Sequence, residues 1–287
     1  MTQALVVSSA GEVYLGASPG GRLLKYIPKN EASQPIRVQE PCATRDVGQP
    51  IQGEDISALA IDRGSNVIYG LSSPNAHLFK YGIDTRTFSD LGVVARRSAE
   101  GEKFETRKTM SRALVVDSKG NAYASGEDAF LYKFEKAGQT LTRLPLRVPG
   151  IPGREGWASV DAFVLTNSGL IYGGTSDGYL FRFDPEAPSI ENLGKPLLQY
   201  RVGGLVEGPE GRIYGVGGDA DDLVRFFSYK PATGAYEILG FVDVNRRPYY
   251  TWQAYVIKAM AVGLDGVIYL GESERISRLY LFYPALK

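Results

Sequence analysis

The fold class this sequence predicts is all-β: a six-bladed β-propeller of four-stranded antiparallel blades. Three observations predict it. A tyrosine-bearing unit occurs six times, no segment sustains a helical apolar period, and the apolar stretches are short and bounded by Gly, Asp, Asn and Pro. The tyrosines are Tyr14, Tyr69, Tyr123, Tyr172, Tyr214 and Tyr269, at spacings of 55, 54, 49, 42 and 55. A period near 50 residues, made of short strands and turns, is the pattern of propeller blades.

Each unit opens with a small residue and an apolar strand: Ala4–Val7, Ala58–Ile61, Ala113–Val116, Ala162–Leu165, Gly204–Glu207 and Ala259–Val262. A small residue there permits close approach of neighbouring innermost strands. A turn, usually containing glycine, leads to the strand that carries the tyrosine. The third strand reads Leu-x-(Lys/Arg)-aromatic at Leu23–Tyr26, Leu78–Tyr81, Leu131–Phe134, Leu180–Phe183 and Leu223–Phe226, and Leu279–Phe282 lacks the cation. A fourth strand closes on Leu-Gly at Leu91–Gly92, Leu193–Gly194 and Leu239–Gly240. The tyrosines and third-strand aromatics are expected to pack between twisted sheets, where rings bury the most area. The cations Lys25, Lys80, Lys133, Arg182 and Arg225 read as scaffold, with apolar stems on the sheet and charged heads in water. The sixth unit stops after its third strand, which predicts a three-stranded last blade or, alternatively, an incomplete seven-bladed propeller. One domain over residues 1–287 needs no second core.

Composition narrows the chemistry. Thirty-two Lys and Arg against 32 Asp and Glu give zero formal charge, so nucleic acid and anionic membrane are not expected partners. The single cysteine, Cys42, and single histidine, His77, exclude Cys-based clusters and multi-histidine metal sites. No metal or other cofactor is expected. The start of the chain lacks the basic and apolar regions of a signal peptide, and the default expectation is a cytoplasmic monomer.

Insertions assigned to fourth-to-first connections are Glu40–Glu54, Val94–Lys108, Arg147–Trp157 and Asp243–Gln253. These connections share a face with the second-to-third loops, and loops on a rigid scaffold carry binding function. Arg154, Trp157, Arg246, Arg247 and Trp252 lie there, as do Arg45, Arg96, Arg97 and Arg107. Aromatic rings stack on sugar faces and guanidinium forks grip carboxylate or sulfate, so an acidic carbohydrate is the expected ligand. The bland alternative is that both tryptophans plug the loops. A second set enters the first strands: Ser57, Arg112, Asp161, Gly203 and Lys258. Arg112, Asp161 and Lys258 are expected to converge at the mouth of the central channel, as a recognition site or as a self-neutralising ion network. His77, one residue before the third strand, is a candidate proton carrier or a plain surface histidine.

The cleanest repeat, Asn167–Pro185, carries the x-Gly-x-(Ile/Val)-Tyr-Gly and Leu-x-(Lys/Arg)-(Tyr/Phe)-Asp-Pro elements. With the Leu-Gly closure it resembles kelch-like and related bacterial β-propellers, including those of propeller polysaccharide lyases. That resemblance spans nearly the whole chain and implies architecture; oligogalacturonate-lyase and streptogramin-lyase propellers use more than one histidine. Two functions are expected from it: a propeller that binds a carbohydrate, another small or polymeric ligand, or a protein, or a lyase on uronate sugars. In the lyase alternative arginines neutralise the substrate carboxylate, and His77, Tyr249 or Tyr250 moves the proton beside it.

Overall fold

The sheets follow one another along the chain in the predicted order, and a computed structural model describes residues 2–26, 44–94, 112–126, 128–218, 222–246, 250–273 and 278–284. Blade one holds β1 (Thr2–Val7), β2 (Val13–Ala17), β3 (Leu23–Tyr26) and β4 (Thr44–Gly48). Blade two holds β5 (Asp55–Asp62), β6 (Val67–Ser73), β7 (His77–Gly82) and β8 (Thr87–Val93). Blade three holds β9 (Leu114–Val116), β10 (Ala122–Ser125), β11 (Phe130–Glu135) and β12 (Thr140–Arg147). Blade four holds β13 (Val160–Leu165), β14 (Ile171–Thr175), β15 (Leu180–Asp184) and β16 (Ser189–Gly194). Blade five holds β17 (Val202–Glu207), β18 (Ile213–Gly217), β19 (Arg225–Lys230) and β20 (Ala235–Phe241). A separate hairpin follows, β21 (Asp243–Arg246) and β22 (Tyr250–Gln253). Blade six has three strands, β23 (Ile257–Val262), β24 (Ile268–Glu272) and β25 (Leu279–Phe282). The protein is a six-bladed β-propeller whose last blade is three-stranded, as its sequence predicts.

Two compact units divide the chain, residues 1–126 with 132–144 and residues 127–131 with 145–287. Within the first, β1, β5 and β9 are the adjacent innermost strands; within the second, β13, β17 and β23 are. Between blades the repeated tyrosine reaches the third-strand aromatic of the following blade. Tyr14 meets Tyr81 at 6.2 Å between ring centroids, Tyr69 meets Phe134 at 5.7 Å, Tyr172 meets Tyr229 at 6.1 Å and Tyr214 meets Phe282 at 5.9 Å. Such pairs contribute about 0.5–1.5 kcal/mol each beyond the area they bury. Burial is the main reason these phenols resist ionisation: it pushes Tyr69 up to about 12, helped by the charges of Asp62 and Asp117. Tyr172 and Tyr214 are raised by the same cause.

The residue after that tyrosine explains the Tyr-Gly motif. Gly70 pairs with Phe79, Gly173 with Phe181 and Gly215 with Phe227 across adjacent strands. A Cβ at Gly173 would lie 2.1 Å from Phe181 Cζ, because the phenyl ring lies flat across the glycine. The glycine is there so the ring can cover the backbone.

Register overturns two sequence assignments. In blades one, two and four the tyrosine faces the third-strand cation (Tyr14 and Lys25, Tyr69 and Lys80, Tyr172 and Arg182), but Tyr214 faces Ser228. The blade-five motif is therefore Phe226–Tyr229, three residues beyond the predicted Leu223–Phe226. Arg212 replaces the missing cation, donating to Ser228 Oγ at 3.2 Å and pairing with Glu237 at 2.7 Å. Arg225 instead precedes the motif, and its guanidinium sits 4.7 Å from the Phe241 ring. The second correction concerns Glu40–Glu54: Thr44–Gly48 is the fourth strand of blade one, so Arg45 lies on β4 and not in a fourth-to-first loop.

Candidate functional site: the loop end of blades four to six

Strand direction places the fourth-to-first and second-to-third connections of each blade at one end, here called the loop end. Each innermost strand except β9 is bulged at its entry, with the register shifting between Ile56 and Ala58, Val160 and Ala162, Val202 and Gly204, and Ile257 and Ala259. The extra residues are Ser57, Asp161, Gly203 and Lys258, the set singled out in the sequence. A bulge leaves one residue out of the ladder and re-aims its side chain, which makes these positions independent of the packing around them. Asp161 uses this freedom to accept from Arg201 Nη1 at 2.6 Å. Lys258 is exposed on β23, and Arg112, exposed just before β9, belongs to the first unit.

In the second unit the loop end gathers rings and cations. Trp157 ends the short helical turn Glu155–Trp157 and is 51% exposed; Tyr200 is 55% exposed and Trp252, on β22, 42%. Lys195 Nζ lies 5.1 Å from the Tyr200 ring centre and 5.7 Å from that of Tyr179. The Arg278 guanidinium stacks 4.1 Å above Trp252. Arg154 Nη2 approaches Asp177 Oδ1 at 3.8 Å. These cation–ring contacts hold the cations beside exposed aromatic faces, where each contact supplies roughly 0.5–1 kcal/mol.

Beneath them buried carboxylates tie loop to loop. Asp177, on the second-to-third loop of blade four, accepts the Ile151 N–H at 3.0 Å from the preceding connection. Glu272 accepts the Tyr255 N–H at 3.2 Å and Arg278 Nη1 at 3.5 Å. Blade two has the counterpart in Glu54, which is hydrogen-bonded by Ser72, Asn75 Nδ2 and the Asn75 N–H. A buried carboxylate that accepts several hydrogen bonds fixes the loops it joins. This fastening is what lets the aromatic tips stay exposed without collapsing.

His77 opens β7 in the first unit. Its Nδ1 is 2.9 Å from Asp90 Oδ2, its Nε2 lies 3.9 Å from Glu54 Oε1, and its N–H donates to Ser72 Oγ at 3.0 Å. The same blade position pairs with the end of the fourth strand elsewhere. Arg22 pairs with Asp46, the Arg147 guanidinium sits 4.8 Å from the Phe130 ring, Lys195 covers Tyr179, and Arg225 covers Phe241. The chemistry of the pair changes from blade to blade while its place does not.

The sequence therefore brought Arg154, Trp157, Asp161, Trp252 and Lys258 to one end of one unit. Arg246 and Tyr250 pair in register across the β21–β22 hairpin there. Arg247 and Tyr249 lie outside the described residues, as do Arg96, Arg97 and Arg107. Sequence reasoning missed Lys195, Tyr200, Arg201 and Arg278. The signal for the first three was available: Lys195–Arg201 joins Gly194 to Val202 and ends in Tyr-Arg, a ring and a cation in a connection too short to need a ring for its own core.

Comparison with known proteins finds no matching family model and no matching curated protein. Solved structures do match. Virginiamycin B lyase from Staphylococcus aureus is similar with a TM-score of 0.65 at 9% identity, over 100% of this chain and 85% of that one. The extracellular domain of BT4673 from B. thetaiotaomicron, described as a one-component and as a hybrid two-component system, gives TM-scores of 0.62 and 0.60 at 13% identity. This chain spans 32% and 39% of the length of those two structures, while 97% and 100% of it is covered. Likeness at such identity shows the propeller fold alone.

Proposed function

We propose that this propeller binds an acidic carbohydrate through the loop end of blades four to six. The observation that supports it is the set of exposed rings, Trp157, Tyr200 and Trp252, each on a loop or hairpin beyond the sheets and accompanied by Arg154, Lys195 or Arg278. Exposed rings offer flat apolar faces to the C–H face of a sugar, and neighbouring cations offer charge-assisted bonds to its carboxylate or sulfate. Arg201 and Lys258, at the entry to the innermost strands, extend the same chemistry. The similar BT4673 structures are extracellular domains of a one-component and a hybrid two-component system, which favours recognition in this chain as well. On this reading residues 1–287 act as one monomeric propeller domain.

Catalysis is the second reading, favoured by one specific feature. His77 held by Asp90 at 2.9 Å has the form of a base and its orienting carboxylate. A lyase would use it, or Tyr249 or Tyr250, to remove the proton beside a uronate carboxylate. One experiment separates the two. Incubation with polygalacturonate, alginate and a glucuronan, followed by ultraviolet absorbance of unsaturated product, is expected to give no product while gel retardation shows binding. Product formation abolished by His77→Ala or Tyr250→Phe would establish the lyase. Neither product nor retardation on any acidic polymer would remove the carbohydrate proposal.

A further inference from the structure

At the end of blades one and two opposite their loop end lies a cleft of about 480 Å³, lined by the β1–β2 turn and strands β3 and β4 of blade one and by the β5–β6 and β7–β8 turns of blade two. Its lining includes the edges of the buried Tyr14 and Tyr81 side chains with Val47 and Ile83, and its polar groups are mostly charged. The volume lies within the roughly 300–1,000 Å³ typical of small-molecule sites.

Pairing decides what the cleft can take. Lys25 is spent on Glu12, with which it forms an ion pair at 2.5 Å, and Glu12 also accepts from Tyr14 Oη at 3.0 Å. Asp46 is held by Arg22 and by the Gly48 N–H at 2.9 Å. Asp84 faces the Asn66 amide at 3.3 Å. What is left over is cationic and donating. Neither Arg45 nor Arg86 has an ion-pair partner among the described residues, and the Tyr81 hydroxyl has no hydrogen-bond partner among them. Both guanidiniums act electrostatically on that phenol, although burial is the larger influence and holds it above its ordinary pKa, so it stays a donor at neutral pH.

We propose that this cleft is a binding site for a small oxyanion of the phosphate or sulfate class. Arg45, Arg86 and the Tyr81 hydroxyl grip it. Two guanidiniums against the one carboxylate of Asp84 leave one positive charge to be matched. The same three donors explain why the site favours an oxyanion over a cation despite three carboxylates in its lining: Glu12 and Asp46 are paired with cations, and Asp84 offsets only one of the two arginines.

The test uses the full chain and inorganic phosphate as probe, titrated calorimetrically beside sulfate and phenyl β-glucoside. Saturable binding of phosphate and of sulfate is expected, and none of the glucoside. Arg45→Ala and Arg86→Ala should each weaken it roughly ten- to hundredfold, the range for a lost hydrogen bond to a charged group, and Tyr81→Phe less. Trp157→Ala should leave it unchanged, which separates this site from the loop end. Both arginines are exposed, so a thermal melt matching the wild type certifies the fold. No saturable binding, binding retained by the Arg45→Ala/Arg86→Ala double variant, or equal affinity for the glucoside would overturn the proposal.

Discussion

At Gly173 a single added methyl group would meet a phenyl ring 2.1 Å away, whereas at Gly194, with φ of +87°, nothing lies within 4 Å. The two glycines are required for different reasons, and substitution should tell them apart. Gly173→Ala forces Phe181 out of its position in the sheet and should cost about 1–3 kcal/mol in urea unfolding. Gly194→Ala carries only the penalty of a left-handed backbone, roughly 1 kcal/mol. Pairing Gly173→Ala with Phe181→Leu should recover part of the loss, and the same partner should do nothing for Gly194→Ala. Charge at the residue scale is equally readable. Burial pushes Asp62 up, but hydrogen bonds from Lys136, at 2.8 Å, and Ser65 outweigh it and hold the carboxyl below its ordinary value. A carboxyl depressed in the folded state stabilises above its unfolded pKa of about 3.9 and stops doing so as pH falls through the folded value. The stability difference between wild type and Lys136→Ala should therefore be greatest near neutrality, roughly 1 kcal/mol or less for so exposed a lysine. It should shrink as pH falls below about 4 and vanish once the pH is below the folded value.

Among the elements, each fourth strand except that of blade three ends on a bulge that its sequence half announces. Register shifts beside Val47, Leu91, Leu193 and Leu239, and the following glycine takes positive φ in every case. In blades one, two and four an Asp or Asn two residues earlier accepts that glycine's N–H, at 2.9 Å each. Leu-Gly was legible as a strand end, but the carboxylate or amide that caps it was not. Blade five shows why register failed. Phe226–Tyr229 lacks both the leucine and the cation, and Leu223–Phe226 nearby imitates them. Periodicity alone could not choose; the tyrosine's cross-strand partner did. Blade one failed for the opposite reason, since Thr44–Gly48 is too polar to look like a strand and is exposed along much of its length. The β21–β22 hairpin is a two-stranded sheet standing apart from the blades, and two strands alone are marginal in water. Its amides at Val244 and Thr251 should exchange with deuterium well before those of the buried strand β18. Equal protection would mean the hairpin is fastened by more than its own ladder.

For the molecule as a whole, six tyrosines and their spacing were enough to give the architecture, because each blade solves the same packing problem with the same residues. Binding chemistry is not repeated, and so was less legible. Glu54 and Asp177, on loops, and Glu272, at the end of β24, perform one task from three different positions, and Lys195, Tyr200 and Arg278 occupy connections that vary in length. Exposed tryptophans stood out in the sequence because ring residues in long loops need either a ligand or a core. Here Trp157 and Trp252 lie at the loop end, each more than two-fifths exposed. On the proposed function these rings and their cations form a recognition surface for acidic carbohydrate. Affinity electrophoresis of wild type, Trp157→Ala and Trp252→Ala through gels containing polygalacturonate or a neutral glucan tests it most directly. Retardation of the wild type is expected in the acidic gel only, relieved by added salt, with each variant running at least several-fold less retarded. Wild type and both variants migrating alike in the acidic gel would contradict it.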